Sequence, residues 1–141
     1  MIVADTGAIL ALVNKSDRHH LAVRKIYEED PDEWLLPWAI LPEVDYLIGS
    51  ELGSRARETF FADLAEAAFN VEYGTERDLV RAQQIDRKYR ALGVGLVDGV
   101  VMAMAERLGA RAIATLDLRH FGAVDLAGSP RLIPRDSVWA R

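Results

Sequence analysis

MIVADTGAILALVNKSD, residues 1–17, decides how the rest of the chain is read. Ile2 to Ala4 is a short apolar run that stops at Asp5, and from Gly7 to Val13 the apolar residues Ile9, Leu10 and Val13 fall at helical spacing. The pattern is strand, turn, helix, with an acid at the turn. It returns late in the chain, where Arg111 to Leu116 is a continuous apolar strand of the buried kind that stops at Asp117.

Between these two points the alternation continues. Asp17 can cap a helix whose buried stripe is Leu21, Val23, Ile26 and Tyr27, ended by Asp30-Pro31. Trp34 to Leu36 is a second strand, closed by Pro37. A helix follows over Trp38 to Leu52, with Pro42 confined to its first turn because proline lacks the interior donor. Gly53 stops it, and Ser54 caps another helix running to about Ala67. Phe69 to Tyr73 is a third strand. Thr75 with Asp78 three places on reads as a capping box for a helix through Tyr89, with Leu79, Val80, Ala82 and Ile85 inward. Gly93-Val94-Gly95 breaks the chain before an apolar helix from about Val97 to Leu108, and Leu132-Ile133 is a last short strand before Pro134. Such βα alternation predicts a parallel sheet with helices on both faces, joined by right-handed crossovers. Ligands of such sheets bind beyond the carboxyl ends of the strands, where strand order reverses. Asp5 and Asp117 stand at two of those ends.

Length and composition agree with one domain over residues 1–141: half of the residues are apolar, enough for a single core. Cysteine is absent, which excludes disulfide frameworks, thiol catalysis and thiolate zinc sites, and fits a reducing compartment. The first residues lack the basic flank of a signal peptide, and Asp5 and Asn14 break the apolar run before it could span a bilayer. A soluble, cytoplasmic protein with no membrane partner is expected. The net charge of −5 argues against a nucleic-acid binder, since Lys and Arg supply most non-specific affinity for phosphates. Net charge is a sum, however, and acids gathered at a metal site are offset locally by the metal. Of the 17 basic residues only Lys15, Lys25 and Lys88 are lysines, and arginine suits bidentate phosphate contacts.

Four acids lie in otherwise apolar surroundings: Asp5, Glu43 among Ile40, Leu41, Val44 and Leu47, Asp98 between Leu96-Val97 and Val100-Val101, and Asp117. Taken singly, Asp5 and Asp98 read as helix caps, Glu43 as a solvated face residue and Asp117 as a turn former. Turned inward together they conflict, because two like charges about 4 Å apart repel by roughly 4 kcal/mol at an effective dielectric near 20. A divalent cation resolves the conflict. Oxygen ligands without His or Cys suit Mg²⁺ or Mn²⁺, and the chemistry that follows is phosphodiester hydrolysis.

In order, IVADTGAILAL, LPEVDYLI, GLVDGVVMAMAERLGA and IATLDLRHF resemble the successive signature segments of PIN-domain ribonucleases, in particular the VapC toxins of type II toxin–antitoxin systems, and they cover the chain to about Val124. The resemblance implies a three-layer α/β/α fold around a five-stranded, mainly parallel sheet, and an endoribonuclease that binds Mg²⁺ or Mn²⁺ through Asp5, Glu43, Asp98 and Asp117. Thr6 and Thr115 match positions whose hydroxyls commonly support that cluster; Arg119 and His120 read either as contacts to scissile or flanking phosphates, consistent with the family pattern, or as a turn with ordinary surface charges. It also implies a VapB-type antitoxin as partner, structured RNA such as tRNA or rRNA as substrate, and a homodimer. Gly7 stands where the family usually has serine and Gly99 where it usually has alanine. Neither change removes a carboxylate, and Gly99 is expected to weaken its helix by up to about 1 kcal/mol.

Other features have competing readings. His19-His20 beside Arg18 suggests a metal site, but adjacent helical histidines point to different faces, so helix surface is the better reading. Trp34 and Trp38, which bracket Pro37, read as packing or as surfaces for a base. Leu47, Ile48, Leu52, Phe60, Phe61 and Leu64 read as core or as a groove for a partner helix or second copy. A phosphotransfer enzyme of the receiver or haloacid-dehalogenase type also puts acids at strand ends, but it needs a late lysine and none follows Lys88. A non-catalytic PIN module that holds RNA or protein is the alternative that keeps the fold, and an acidic core without metal is the last.

Overall fold

The computed structural model describes residues 1–137 of the 141. Five strands, β1 (Ile2–Ala4), β2 (Trp34–Pro37), β3 (Asn70–Glu72), β4 (Ala112–Ala114) and β5 (Arg131–Ile133), form one sheet in the order β3-β2-β1-β4-β5, and every adjacent pair is parallel. Parallel pairing requires crossovers, which seven α-helices supply: α1 (Thr6–Val13), α2 (His20–Glu29), α3 (Leu41–Leu52), α4 (Ser54–Ala65), α5 (Glu76–Lys88), α6 (Gly95–Arg107) and α7 (Leu118–Phe121). The chain moves outward from β1 to β3 through α1–α4, which pack among themselves. It returns across the sheet to β4 through the paired helices α5 and α6, so the two helical layers take opposite faces. The expected three-layer α/β/α architecture is therefore present.

Burial on both faces explains why the strands read as unbroken apolar runs. Ile2, Val3 and Ala4 of β1 and Ala112, Ile113 and Ala114 of β4 are all nearly inaccessible, and they pack with Ile9, Val23, Leu36, Ile48, Val101 and Met102 in one core. Pro42 lies in the first turn of α3, after a 3-10 turn over Trp38–Ile40, as its missing donor requires. The Thr75/Asp78 capping box is formed at the start of α5. Among the described residues no helix is long and apolar enough to cross a membrane.

Several local expectations are corrected. α2 starts at His20, and Asp17 acts three residues earlier, accepting the His19 N–H at 2.7 Å in the turn before the helix. Leu21 is exposed instead of belonging to the buried stripe, which is Val23 and Ile26 with Tyr27 edge-on to Trp34. Leu79 and Val80 also face outward: α5 packs chiefly on α6, and Ala82 and Ile85 fill its buried side. Ser54 is the first residue of α4 and makes no side-chain cap; Gly53 turns the chain with φ +95°. The short helix α7, which begins directly after Asp117, had no sequence signal.

Candidate functional site

β1 lies where strand order reverses: the chain leaves it toward β2 and β3 on one side, and β4 and β5 lie on the other. The carboxyl ends of β1 and β4 carry the site. The Asp5 N–H donates to the Ala114 carbonyl at 2.8 Å and the Thr115 N–H to the Ile133 carbonyl at 3.0 Å, so the ladder fixes both residues one step beyond the strands. From there the side chains form a continuous chain. The Thr115 hydroxyl donates to Asp5 Oδ2 at 3.0 Å and accepts the Asp117 N–H at 3.0 Å. Asp117 Oδ1 in turn accepts the His120 N–H at 3.1 Å, which turns the His120 ring toward α6. There Nδ1 meets Asp98 Oδ2 at 2.7 Å and Asp117 Oδ2 at 3.1 Å, while Nε2 meets the Leu92 carbonyl at 3.0 Å.

His120 Nδ1 thus faces two carboxylates, while Nε2 faces both the Leu92 carbonyl and, at 3.5 Å, Nη1 of Arg119. Hydrogen bonding to Asp98 raises the pKa of the imidazole, with Asp117 and the Leu92 carbonyl adding to it against the cost of burial. The His120 ring is set between two carboxylates. Asp98 is nevertheless raised, because burial and the nearby Asp117 outweigh its bond to His120. Asp5 is the extreme case. It is 5% exposed, and burial, reinforced by Asp98 and Asp117, pushes its pKa up to about 6 despite the Thr6 N–H and the Thr115 hydroxyl.

The cap readings of Asp5 and Asp98 fail. Asp5 occupies the N-cap position of α1 in extended backbone, but its side chain makes no capping bond, and Asp98 sits within the first turn of α6, which starts at Gly95. Asp117 does cap, over the single turn of α7. Asp5, Asp98 and Asp117 come together, and the Thr115 hydroxyl bonds to Asp5. Thr6 lies beside them, buried, its hydroxyl oxygen without a hydrogen-bond partner. Glu43 stands on the first turn of α3 at the same edge of the sheet, exposed, and is not among the charges that raise Asp5. Arg119 is exposed beside the cluster, whereas the ring of His120 is engaged inside it. The histidine pair at 19 and 20 makes no metal group: His20 is buried, with Nδ1 against the Ala11 carbonyl at 2.8 Å.

The donor set fits a hard divalent cation. One ligand atom each of Asp98, Asp117 and His120 lie within 4.8 Å of one another, and Asp5 adjoins them. His120 was not foreseen in that group. Its Nδ1 is already engaged by Asp98 and Asp117, at 2.7 and 3.1 Å.

Residues 2–126 match the model of the family described as PIN domain. A curated relative, Ribonuclease VapC26 of Mycobacterium tuberculosis (strain ATCC 25618 / H37Rv), is 28% identical over 130 residues, covering 92% of this chain and 96% of the relative. Two solved structures share the fold. The M. tuberculosis VapC20 toxin, described as Sarcin-Ricin loop cleaving, superposes with a TM-score of 0.78 at 20% identity over 91% of this chain and 98% of its own. The DNA-bound VapBC complex of Salmonella typhimurium gives 0.68 at 19% identity over 93% and 95%.

Proposed function

Because the chain belongs to the PIN-domain family, we propose that it is a divalent-metal-dependent endoribonuclease and the toxin of a VapBC toxin–antitoxin pair, acting on structured RNA such as tRNA or rRNA. The observation that carries this reading is Asp5: a buried carboxylate facing two others at the switch point of the sheet, with its pKa raised to about 6. Among the described residues its hydrogen bonds come from the neutral Thr115 hydroxyl and Thr6 N–H, which leave its charge unbalanced.

Asp5, Asp98 and Asp117 would hold Mg²⁺ or Mn²⁺, with Glu43 as the fourth acid of the set. When bound, the ion supplies activation of water and stabilisation of charge on the phosphodiester. The protein's own groups prepare that site. Thr115 fixes the orientation of Asp5, and the His120 ring stands between Asp98 and Asp117, within hydrogen-bond distance of both. Arg119, exposed beside the cluster, is placed to meet a flanking phosphate. The cognate partner is an antitoxin whose segment crosses the acidic mouth with an arginine in place of the metal's charge, and the active form is a homodimer. Likeness to the Salmonella VapBC complex supports the partner class.

Wild type and Asp98→Asn are compared on total RNA with Mg²⁺, with Mn²⁺ and with chelator. Metal-dependent cleavage by wild type alone is expected, with a loss of at least about 100-fold in the variant, since even groups that only orient metal ligands are worth 10–100-fold. Equal cleavage by both proteins removes the catalytic assignment. Binding without cleavage under every metal condition leaves a non-catalytic PIN module.

A further inference from the structure

Trp38 and Tyr73 stack on each other in the open, with ring centroids 5.2 Å apart and planes inclined by 29°, at 52% and 72% exposure. Their place follows from the strand register. β1 and β2 pair in parallel, as do β2 and β3, and Trp38 and Tyr73 directly follow the last residues of β2 and β3, as Asp5 follows β1, so all three lie at the carboxyl edge of the sheet. β2 neighbours β1 in the sheet and β3 lies beyond β2, so Trp38 follows the adjacent strand and Tyr73 the next one out. The pair walls two grooves. One, of about 350 Å³, runs over Leu41, Pro42, Phe61 and Leu64; the other, of about 330 Å³, runs over Leu79, Leu96 and Met104. Both volumes are in the range of small-ligand clefts.

We propose that Trp38 and Tyr73 are a stacking platform for an unpaired base that flanks the scissile phosphate, so that the substrate is RNA with a single-stranded segment at the cut. The inference rests on the nuclease reading of the neighbouring acids. Core packing does not explain the pair, because neither ring joins the buried cluster, unlike Trp34, which is 1% exposed and edge-on to Tyr27. Electrostatics favours the same conclusion. A chain with a net charge of −5 gains little from counter-ion release, whereas the face of an aromatic ring binds any base without needing positive charge. A base inside a duplex keeps its faces covered by its neighbours, so the platform distinguishes looped from paired RNA.

The test measures binding of fluorescently labelled oligoadenylate, and of the same strand paired with oligouridylate, to Asp98→Asn protein with and without Trp38→Ala and Tyr73→Ala. The double alanine variant is expected to lose about ten- to 100-fold in affinity for the single strand, equally at low and high salt, with the duplex unaffected. Trp38→Phe alone restores most of the loss. Unchanged single-strand affinity, or an equal loss for both RNAs, overturns the proposal. So does a change from dimer to monomer in sedimentation, which would make the pair an interface between copies. Wild-type cleavage of total RNA with Mn²⁺, measured alongside, tests the nuclease reading separately. Aromatic-dependent binding without cleavage removes that reading alone, and cleavage with aromatic-independent binding removes only the platform.

Discussion

Asp78 and Asp5 are almost equally buried, at 3% and 5% exposure, yet their carboxyl groups titrate in opposite directions. Burial raises both. At Asp78 it is outweighed: Arg107 grips both oxygens, Nε to Oδ1 at 2.8 Å and Nη2 to Oδ2 at 3.0 Å, and the Thr75 N–H adds a third bond at 2.9 Å, so the pKa is lowered. At Asp5 only a hydroxyl and a backbone N–H oppose burial, and two further carboxylates reinforce it. The α5–α6 pair is thus held by charges that satisfy one another, while the mouth of the sheet holds charges that do not. Unbalanced acids destabilise a fold, so their presence at a strand-order reversal points to something outside the chain that completes them.

The comparison breaks first at Arg107. Arg107→Ala leaves Asp78 buried and unpaired, and a loss of about 3 kcal/mol in urea unfolding is expected, the lower end for a broken buried pair because Arg107 keeps partial contact with solvent. A neutral result would mean that Asp78 is as unsatisfied as Asp5. Asp5→Asn should move stability the other way. It removes the buried charge while keeping an acceptor for Thr115, so the metal-free protein gains about 2 kcal/mol at neutral pH even as cleavage is lost.

The pH dependence sharpens that contrast. Because the folded-state pKa of Asp5 is raised from 3.8 to about 6, the folded protein binds more protons than the unfolded chain between those values. Stability therefore falls as pH rises from about 4 to about 6, by up to about 3 kcal/mol from this group, and is flat above. Asp98, also raised, acts in the same direction. The raised pKa of His120 does so too: its ion pairs stabilise the fold while it is protonated and are lost as pH rises through its folded value. Melting curves in chelator should show wild type losing stability across this window and Asp5→Asn losing distinctly less. Identical slopes would detach Asp5 from the cluster.

How far the sequence carried the site depends on the kind of signal each residue gives. Asp5 was legible because the apolar strand Ile2–Ala4 ends directly at it; Asp117 was read at the end of a strand over Arg111 to Leu116, whereas β4 ends at Ala114 and Thr115 and Leu116 intervene. Asp98 was legible through its apolar neighbours on α6. His120 read as a turn residue near phosphates, since nothing local marked α7; its inward ring is set by the bond from its own N–H to Asp117. Glu43 carried the same apolar context as Asp98 but lies on the outer side of its turn, a difference decided by how α3 rolls against its neighbours. Leu79 failed for a related reason, since a helix that packs on one partner buries a narrower face than its apolar count suggests. The outward Leu79 lines a groove beside Trp38 and Tyr73, so the misread helix face borders the platform.

Gly99 gives the smallest effect and a difference of sign. Its place in α6 suggested a helix weakened by up to about 1 kcal/mol relative to alanine, so that Gly99→Ala would stabilise the protein. Packing argues the reverse. A Cβ at Gly99 would lie 3.1 Å from the Ala82 Cβ, 3.2 Å from the Ala82 carbonyl oxygen and 3.3 Å from its Cα, all on α5. Two of those contacts are backbone, which cannot rotate aside, so the helices must separate by a few tenths of an ångström along a contact that also carries the Asp78–Arg107 pair. Overpacking of this kind costs about 1–3 kcal/mol, more than the helix gains. Gly99→Ala should therefore destabilise by about 1 kcal/mol in urea unfolding. The loss should shrink when Arg107 is already alanine, because a pair that is absent cannot be strained. Full additivity of the two substitutions would show that the close approach of α5 and α6 and the balanced charges between them are independent.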